Sequence, residues 1–122
     1  SEYNPSQQQK RFIVDKDITD TAIDGIYESL TSALKAANKL AGQKFRKPEK
    51  QQRIKIKIAS NLYEESTIHL TIPDLVVEPK EKGGEVTLQQ ELAPVIVVDV
   101  GEGNSVTIKN TKLLMKSDYA SG

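Results

Sequence analysis

The sequence predicts an α+β fold in which one long N-terminal amphipathic helix is followed by an antiparallel meander of five or six strands. Apolar residues recur with a helical period in the first third of the chain, and the period changes to two after residue 52. Only 5% of the 122 residues are aromatic and none is tryptophan, so the core must consist mainly of isoleucine, valine and leucine. Such a core favours sheet. The chain is long enough for one domain without disulfides.

The helix is predicted between Asp17 and Gly42. Its apolar residues alternate steps of three and four, which places them in one stripe along a helix surface. Gly42 is typical of a C-cap, and several residues near the start are typical of an N-cap. The predicted length of roughly 22 residues corresponds to about 33 Å. The stripe contains Ile23, Ile26, Leu30, Ala33, Ala37 and Leu40, widened by Tyr27 and Leu34, and the N-cap candidates are Asp17, Thr19, Asp20 and Thr21.

Two runs of strict alternation predict the first strands. They are "RIKIKIA" at 53–59 and "STIHLTIP" at 66–73. The segment "SNLYEE" between them is predicted to be a loop, so the two strands are expected to form an antiparallel hairpin. The inward-facing residues would be Ile54, Ile56 and Ile58 in the first run and Ile68, Leu70 and Ile72 in the second.

Later segments are expected to continue the meander. "DLVVE" lies between two prolines, which is typical of an edge strand, whereas "APVIVVDV" is apolar on both faces and is predicted to be a central strand. "SVTIKNTKLLM" would supply the last strand, and no repeat of fixed period is visible. The predicted domain spans 10–116, between a flexible arm at 1–9 and a flexible tail at 117–122.

A basic stretch between residues 44 and 57 is the main candidate for a binding site. It contains seven basic residues against Glu49 alone, although the whole chain has a net charge of zero. A phosphate backbone binds several lysines and arginines on one surface, and single strands also stack bases on aromatic side chains. The alternative is an ordinary solvated strand face. The candidate residues are Lys44, Phe45, Arg46, Lys47, Lys50, Arg53, Lys55 and Lys57.

Patterns of catalytic and metal-binding residues are missing from the sequence. His69 is the only histidine and has no nucleophile at a recognised spacing, so we interpret it as a surface residue of a strand. The acidic residues from Asp15 to Asp24 do not have the spacing of an EF-hand loop. "GEGN" lacks the third glycine and the following helix of a dinucleotide site. We therefore expect no catalytic, cofactor-binding or metal-binding residue and no enzyme activity.

The sequence also bears on location. Its longest apolar run, Ala93 to Val98, is far shorter than the ~20 residues that cross a bilayer. The first residues lack the apolar region of a signal peptide. There is no cysteine, which fits a reducing compartment. The prediction is a cytoplasmic protein with no membrane partner.

These observations favour a non-catalytic structural or protein-interaction module that self-assembles or docks on a larger partner. The helix stripe is broader than one packing face needs, so a second copy could bury the surplus and form a homo-oligomer. The alternative is a nucleic-acid-binding accessory protein that uses the basic stretch. The predicted interface between copies consists of Ile23, Ile26, Tyr27, Leu30, Leu34 and Leu40.

Overall fold

A computed structural model describes residues 11–18, 25–42, 53–91 and 94–115. These residues form ten short strands and one helix of 12 residues. Every pair of neighbouring strands runs parallel. In chain order the elements are β1 (Arg11–Val14), β2 (Ile26–Tyr27), α1 (Leu30–Ala41), β3 (Lys55–Ile58), β4 (Asn61–Glu64), β5 (Ile68–Leu70), β6 (Val76–Pro79), β7 (Val86–Gln90), β8 (Ile96–Val98), β9 (Thr107–Ile108) and β10 (Thr111–Met115).

The strands form three sheets that the chain visits in turn. Sheet 1 has the order β2-β1-β3-β6-β9, sheet 2 the order β10-β7-β4, and sheet 3 pairs β5 with β8. From β3 in sheet 1 the chain passes to β4 in sheet 2 and β5 in sheet 3, and then returns to sheet 1 with β6. Each circuit places a strand beside its counterpart from the preceding circuit. From β3 to β10 the fold is therefore a parallel β-solenoid whose coils take about 20 to 30 residues each.

Inward-facing side chains stack in columns from one coil to the next. In sheet 1, Phe12 is in register with Ile56, and Ile56 with Val77. In sheet 2, Tyr63 is in register with Leu88. All five side chains are buried. Because successive strand residues point to opposite faces, a period of two supplies each column with one apolar residue per coil and leaves the next residue outside.

The helix α1 covers the end of the solenoid that contains β1 and β5, and packs against β1, β2 and β5. It begins after Ser29, whose hydroxyl accepts the amide of Ser32 at 3.1 Å. It ends at Gly42, whose amide donates to the Asn38 carbonyl at 3.0 Å. The predicted C-cap is thus confirmed. The buried face of α1 consists of Leu30, Ala33, Leu34, Ala37 and Leu40.

The prediction of a long helix is wrong, because α1 begins at Leu30 rather than near Asp17. Gly25 has a φ of 86°, a left-handed conformation that interrupts a right-handed helix. Its carbonyl accepts the amide of Ile13 at 2.8 Å, which ties this segment to β1. The chain then forms β2 before the helix starts. Ser29 is the N-cap, and the predicted N-caps Thr19, Asp20 and Thr21 lie outside the described residues.

The predicted antiparallel meander is also wrong, because the strands are parallel and pair one coil apart. The segment predicted as a loop at 60–65 contains β4, so β3 and β5 lie in different sheets instead of forming a hairpin. β6 lies between β3 and β9 rather than at an edge, and β8 is at an edge rather than central. The physical reason is that alternation fixes the face of a strand but not its direction. Ala59 and Ser60 turn the chain to the next sheet and do not reverse it.

The predicted faces of β3 and β5 are confirmed. Lys55 and His69 are exposed on the outside, and the alternate residues point into the core. The predicted arm at 1–9 and tail at 117–122 lie outside the described residues. The buried inward residues are Ile54, Ile56, Ile58, Ile68, Leu70 and Ile72.

Candidate functional site

The two ends of the solenoid differ, and this difference defines the candidate site. At the end under α1, residues 15–17 lie beside β4. The ammonium of Lys16 donates to the Leu62 carbonyl at 2.9 Å, and Nδ2 of Asn61 donates to Oδ2 of Asp17 at 3.1 Å. At the outer edge of sheet 2, one backbone carbonyl and one side-chain amide are therefore bonded to groups of the same chain. We define α1 and residues 15–17 as the closed end.

A single carboxylate fixes α1 to the coil beneath it. Oε2 of Glu65 accepts the amide of Leu30 at 2.8 Å. Oε1 of Glu65 accepts both the amide of Thr31 at 2.8 Å and its hydroxyl at 2.6 Å. The first amides of a helix have no acceptor within it and carry partial positive charge, so a carboxylate stabilises them in both respects. The closed end is thus held by hydrogen bonds as well as by apolar packing.

At the opposite end, β8, β9 and β10 are the outermost strands of their sheets, and no described strand lies beyond them. We define these three strands as the open end. The amides of Thr107 and Lys109 donate to the carbonyls of Leu75 and Val77 at 2.9 and 2.8 Å. Because successive amides of a strand point to opposite sides, the amide of Ile108 points away from the preceding coil. Such edges present donors and acceptors to a further strand.

Three apolar side chains on the inward faces of the open-end strands are about half exposed. Val98, Leu113 and Met115 have 50%, 47% and 49% of their surface exposed. Leu113 is in register with Leu88, and Val98 with Leu70, and these partners in the preceding coil are only 2% and 1% exposed. Leu113 and Val98 therefore stand in the inward columns, and Met115 follows Leu113 by two residues on the same face. Their exposure follows from their place at the end of the stack.

Charged residues of opposite sign stand at two corners of the open end. Asp99 and Glu102 are exposed in the turn between β8 and β9. This turn is held by Asn104, whose Nδ2 donates to the Val100 carbonyl at 2.8 Å. Lys109 is exposed at the corner between β9 and β10. The open end therefore has an apolar centre, one acidic corner and one basic corner.

The predicted nucleic-acid residues that the structure describes lie on sheet 1, away from the open end. Arg53 and Lys55 are exposed, whereas Lys57 is partly buried. Lys57 is directly opposite Glu78 in β6, so an acidic residue lies within this basic face. β6 separates these residues from the edge strand β9. The other candidates, Lys44, Phe45, Arg46, Lys47 and Lys50, lie outside the described residues.

The predicted interface residues lie at the closed end. Leu30, Leu34 and Leu40 are only 1%, 5% and 7% exposed and belong to the core of the same chain. Ile26 and Tyr27 are partly buried in β2. Ile23 lies outside the described residues. The chain's own coils thus cover the stripe, while self-association stays a prediction.

Sequence reasoning missed Val98, Leu113 and Met115. The available signal was a run of consecutive apolar residues in each of "VIVV" and "TKLLM". A strand covered on both faces has the same composition as a strand at the uncovered end of a stack. The sequence of one strand does not determine its position in the stack. For "APVIVVDV" it could not distinguish the predicted central strand from the observed edge strand.

Other polar groups of the described chain do not form a recognisable catalytic set. His69 is exposed on the outer face of β5. Across residues 11–18, 25–42, 53–91 and 94–115, no three acidic or histidine side chains are grouped so as to hold a metal ion. Two grooves, of about 460 and 260 Å³, run along corners of the solenoid. The larger is lined in part by Glu78, Lys82 and Lys109, and the smaller by Glu64, Gln89 and Glu91.

Comparisons with protein-family models, with curated proteins and with solved structures find no match to this chain. The one helix in the described part of the chain is too short to cross a bilayer.

Proposed function

We propose that this chain is a non-catalytic protein-interaction module and that the open end is its binding surface. The observation that carries the proposal is the contrast within one column, where Leu88 is 2% exposed and Leu113 is 47% exposed. A partner placed on the open end would bury the exposed faces of Leu113, Met115 and Val98. Burial of apolar surface contributes roughly 25 cal/mol per Å² before association costs are subtracted.

The edges of β8, β9 and β10 support the same proposal. A strand added to an exposed edge gains main-chain hydrogen bonds, and its side chains pack on the apolar face beneath. At the open end both contributions are available in one place, since the amide of Ile108 points outward beside the inward columns. The proposed recognition mode is therefore strand addition. The cytoplasm, which suits a chain without cysteine, is the proposed location.

The test uses an apolar fluorescent dye, anilinonaphthalene sulfonate, as a probe of the binding surface. The double variant Leu113→Lys and Met115→Lys should lose most of the dye fluorescence of the dilute wild-type protein, because lysine makes the centre of the open end polar. The matched control is Leu62→Lys. Leu62 is 37% exposed on the outer face of β4, away from the open end, and this variant should keep most of the fluorescence.

Circular dichroism of all three proteins establishes that each variant keeps the wild-type fold. Equal dye fluorescence in the double variant and the wild type would contradict the proposal, because the open end would then not be the exposed apolar surface. A larger loss in Leu62→Lys than in the double variant would contradict it in the same way and would place the apolar surface on the outer face of β4.

A further inference from the structure

We infer that the partner at the open end is a second copy of this chain, joined open end to open end about a two-fold axis that passes through β9. The inference rests on the proposed function of the open end and adds the identity and orientation of the partner. It follows from the asymmetry of the two ends and from the positions of Asp99, Glu102 and Lys109.

The closed end excludes head-to-tail stacking of copies. For a copy to stack in that way, its open end would have to pair with strand edges at the closed end of the next copy. α1 packs against β2 and β5 at this end, and the Leu62 carbonyl in β4 already accepts a hydrogen bond from Lys16 at 2.9 Å. A second copy can therefore offer only its own open end. Contact between two copies of the same surface produces a closed dimer with two-fold symmetry. The strands of the two open ends are then antiparallel, and antiparallel pairs are slightly more stable than parallel ones.

The charges at the corners select one orientation. Three sheets in a closed circuit allow three two-fold axes, each through one sheet and the opposite corner. An axis through sheet 2 would place Asp99 and Glu102 against themselves, and an axis through sheet 3 would place Lys109 against itself. An axis through sheet 1 exchanges the two corners, so Lys109 of one protomer faces the acidic turn of its partner. Opposite charges across an interface fix its register, whereas like charges oppose it.

The axis through sheet 1 also brings the exposed apolar side chains of the two copies together. It places β9 against β9 of the partner and β10 against β8 of the partner. Leu113 and Met115 then face the partner's Val98, while Ile108 lies near the axis and its outward amide reaches the partner's β9. An apolar centre with charged residues at its rim is the usual anatomy of a protein interface.

The first measurement is the solution mass by light scattering over a range of protein concentrations. The wild-type protein should have the mass of two chains at high concentration and of one chain on dilution. Dye fluorescence per chain should fall as the dimer forms, since the second copy covers the open end. The double variant Leu113→Lys and Met115→Lys should keep the mass of one chain at every concentration.

The decisive experiment uses two charge-reversal variants, Lys109→Glu and the double variant Asp99→Lys with Glu102→Lys. In the inferred dimer each variant places like charges at both corners, so each alone should have the mass of one chain. Mixed in equal amounts, they should form a heterodimer, because opposite charges then meet again at both corners of the interface. These residues are exposed, so circular dichroism should show both variants folded.

Three results would overturn the inference: a wild-type protein that keeps the mass of one chain at every concentration, charge-reversal variants that both stay dimeric, or a mixture that stays monomeric. The proposed function would survive a monomeric wild type whose dye binding still depends on Leu113 and Met115. It would fail together with the inference if lysines at these two positions changed neither the mass nor the dye fluorescence.

Discussion

Oε1 of Glu65 accepts two hydrogen bonds from Thr31, one from the backbone amide at 2.8 Å and one from the hydroxyl at 2.6 Å. The two residues are 34 positions apart, so this contact joins the first turn of α1 to the end of β4. Oε2 of the same carboxylate accepts the amide of Leu30 at 2.8 Å. Bonds to an ionised acceptor are stronger than neutral ones, and here they also satisfy helix amides that lack partners within the helix.

We expect Glu65→Ala to lower the free energy of unfolding by about 1 to 2 kcal/mol, because three donors at the helix start lose their acceptor and two of them are backbone amides. Urea denaturation followed by circular dichroism measures the change. Glu64→Ala is the matched control. Glu64 is the neighbouring carboxylate, is exposed and accepts one bond from Gln89 at 3.2 Å, so its replacement should change stability by less than about 0.5 kcal/mol. Equal effects of both substitutions would show that Glu65 does not hold α1.

Tyr63 should make the protein less stable at alkaline pH. Burial raises the pKa of its hydroxyl above the usual value of 10.0, and the nearby carboxylates of Asp15, Asp17 and Glu65 raise it further, against the lowering effect of the Lys16 backbone. The fold therefore favours the neutral phenol. The stabilisation that the neutral Tyr63 hydroxyl contributes is complete below its pKa in the unfolded chain, about 10. It is lost as the pH rises through the higher pKa of this hydroxyl in the folded state.

The variant that checks this is Tyr63→Phe. At neutral pH it should lose about 1 kcal/mol of stability, because the hydroxyl donates to the Ala59 carbonyl at 2.7 Å. Above pH 10 its stability should fall less steeply than that of the wild type, since the buried phenol no longer ionises. The measurement is urea denaturation from pH 7 to 11. Parallel curves for the two proteins would mean that Tyr63 has no part in alkaline unfolding.

Lys55 and Lys57 offer a matched pair on one strand. Lys57 is in register with Glu78, whereas Lys55 is in register with Val76. Lys57→Glu places like charges on adjacent strands and should cost about 0.5 to 1 kcal/mol, while Lys55→Glu should cost less than about 0.5 kcal/mol. The difference, measured by urea denaturation, should shrink in high salt, which screens exposed charges. A larger loss of stability for Lys55→Glu than for Lys57→Glu would contradict the pairing of Lys57 with Glu78.

Ile56 lies between these lysines and points into the core with none of its surface exposed. Ile56→Asp should prevent folding, because a carboxylate without a partner in an apolar core is far more costly than the marginal stability of a domain allows. Far-ultraviolet circular dichroism of the purified variant is sufficient to test this. A folded Ile56→Asp protein would place the side chain outside and shift the strand by one residue.

Gly84 is predicted to be required where the turns of successive coils meet. A Cβ atom at this position would lie 2.7 Å from Oγ of Ser60 and 2.9 Å from the Glu81 carbonyl oxygen. Gly84→Ala should therefore cost about 1 to 3 kcal/mol, because the turns must move apart. Gly42→Ala is the control, since a Cβ there would be 3.5 Å from the nearest atom, the Asn38 carbonyl oxygen, and φ is −83°. Thermal unfolding should show a lower midpoint for Gly84→Ala than for the control.

Local features of this fold could be predicted from sequence because they depend on neighbouring residues. The period of two in 53–59 correctly predicts that Ile56 is buried and Lys55 exposed, and Gly42 correctly predicts the end of the helix. The helix start was missed for a local reason as well. The apolar spacing continues through Ile26, but Gly25 adopts a positive φ and the chain pairs with β1 before Ser29 caps the helix.

Strand direction and pairing could not be predicted, because they depend on residues far apart in sequence, as in the pairing of Arg11 with Lys55. Lys55 pairs with Val76, and Val76 with Thr107, so successive coils differ in length and leave no fixed repeat. Only the inward positions need to be apolar, and any aliphatic residue satisfies them. The open end was missed for the same reason. The exposure of Leu113 depends on the position of its strand in the stack and not on its neighbours in sequence.

Because α1 covers only one end of the stack, strands at the two ends should not detach equally easily. Each coil of a solenoid contacts only its neighbours, so terminal strands can detach while the remaining coils stay folded. β10 has β7 as its only neighbour in sheet 2, whereas β3 is held between β1 and β6. We therefore expect local opening to begin at β10 and to advance toward α1. A second copy bound at the open end would hold β10 in place in both chains at once.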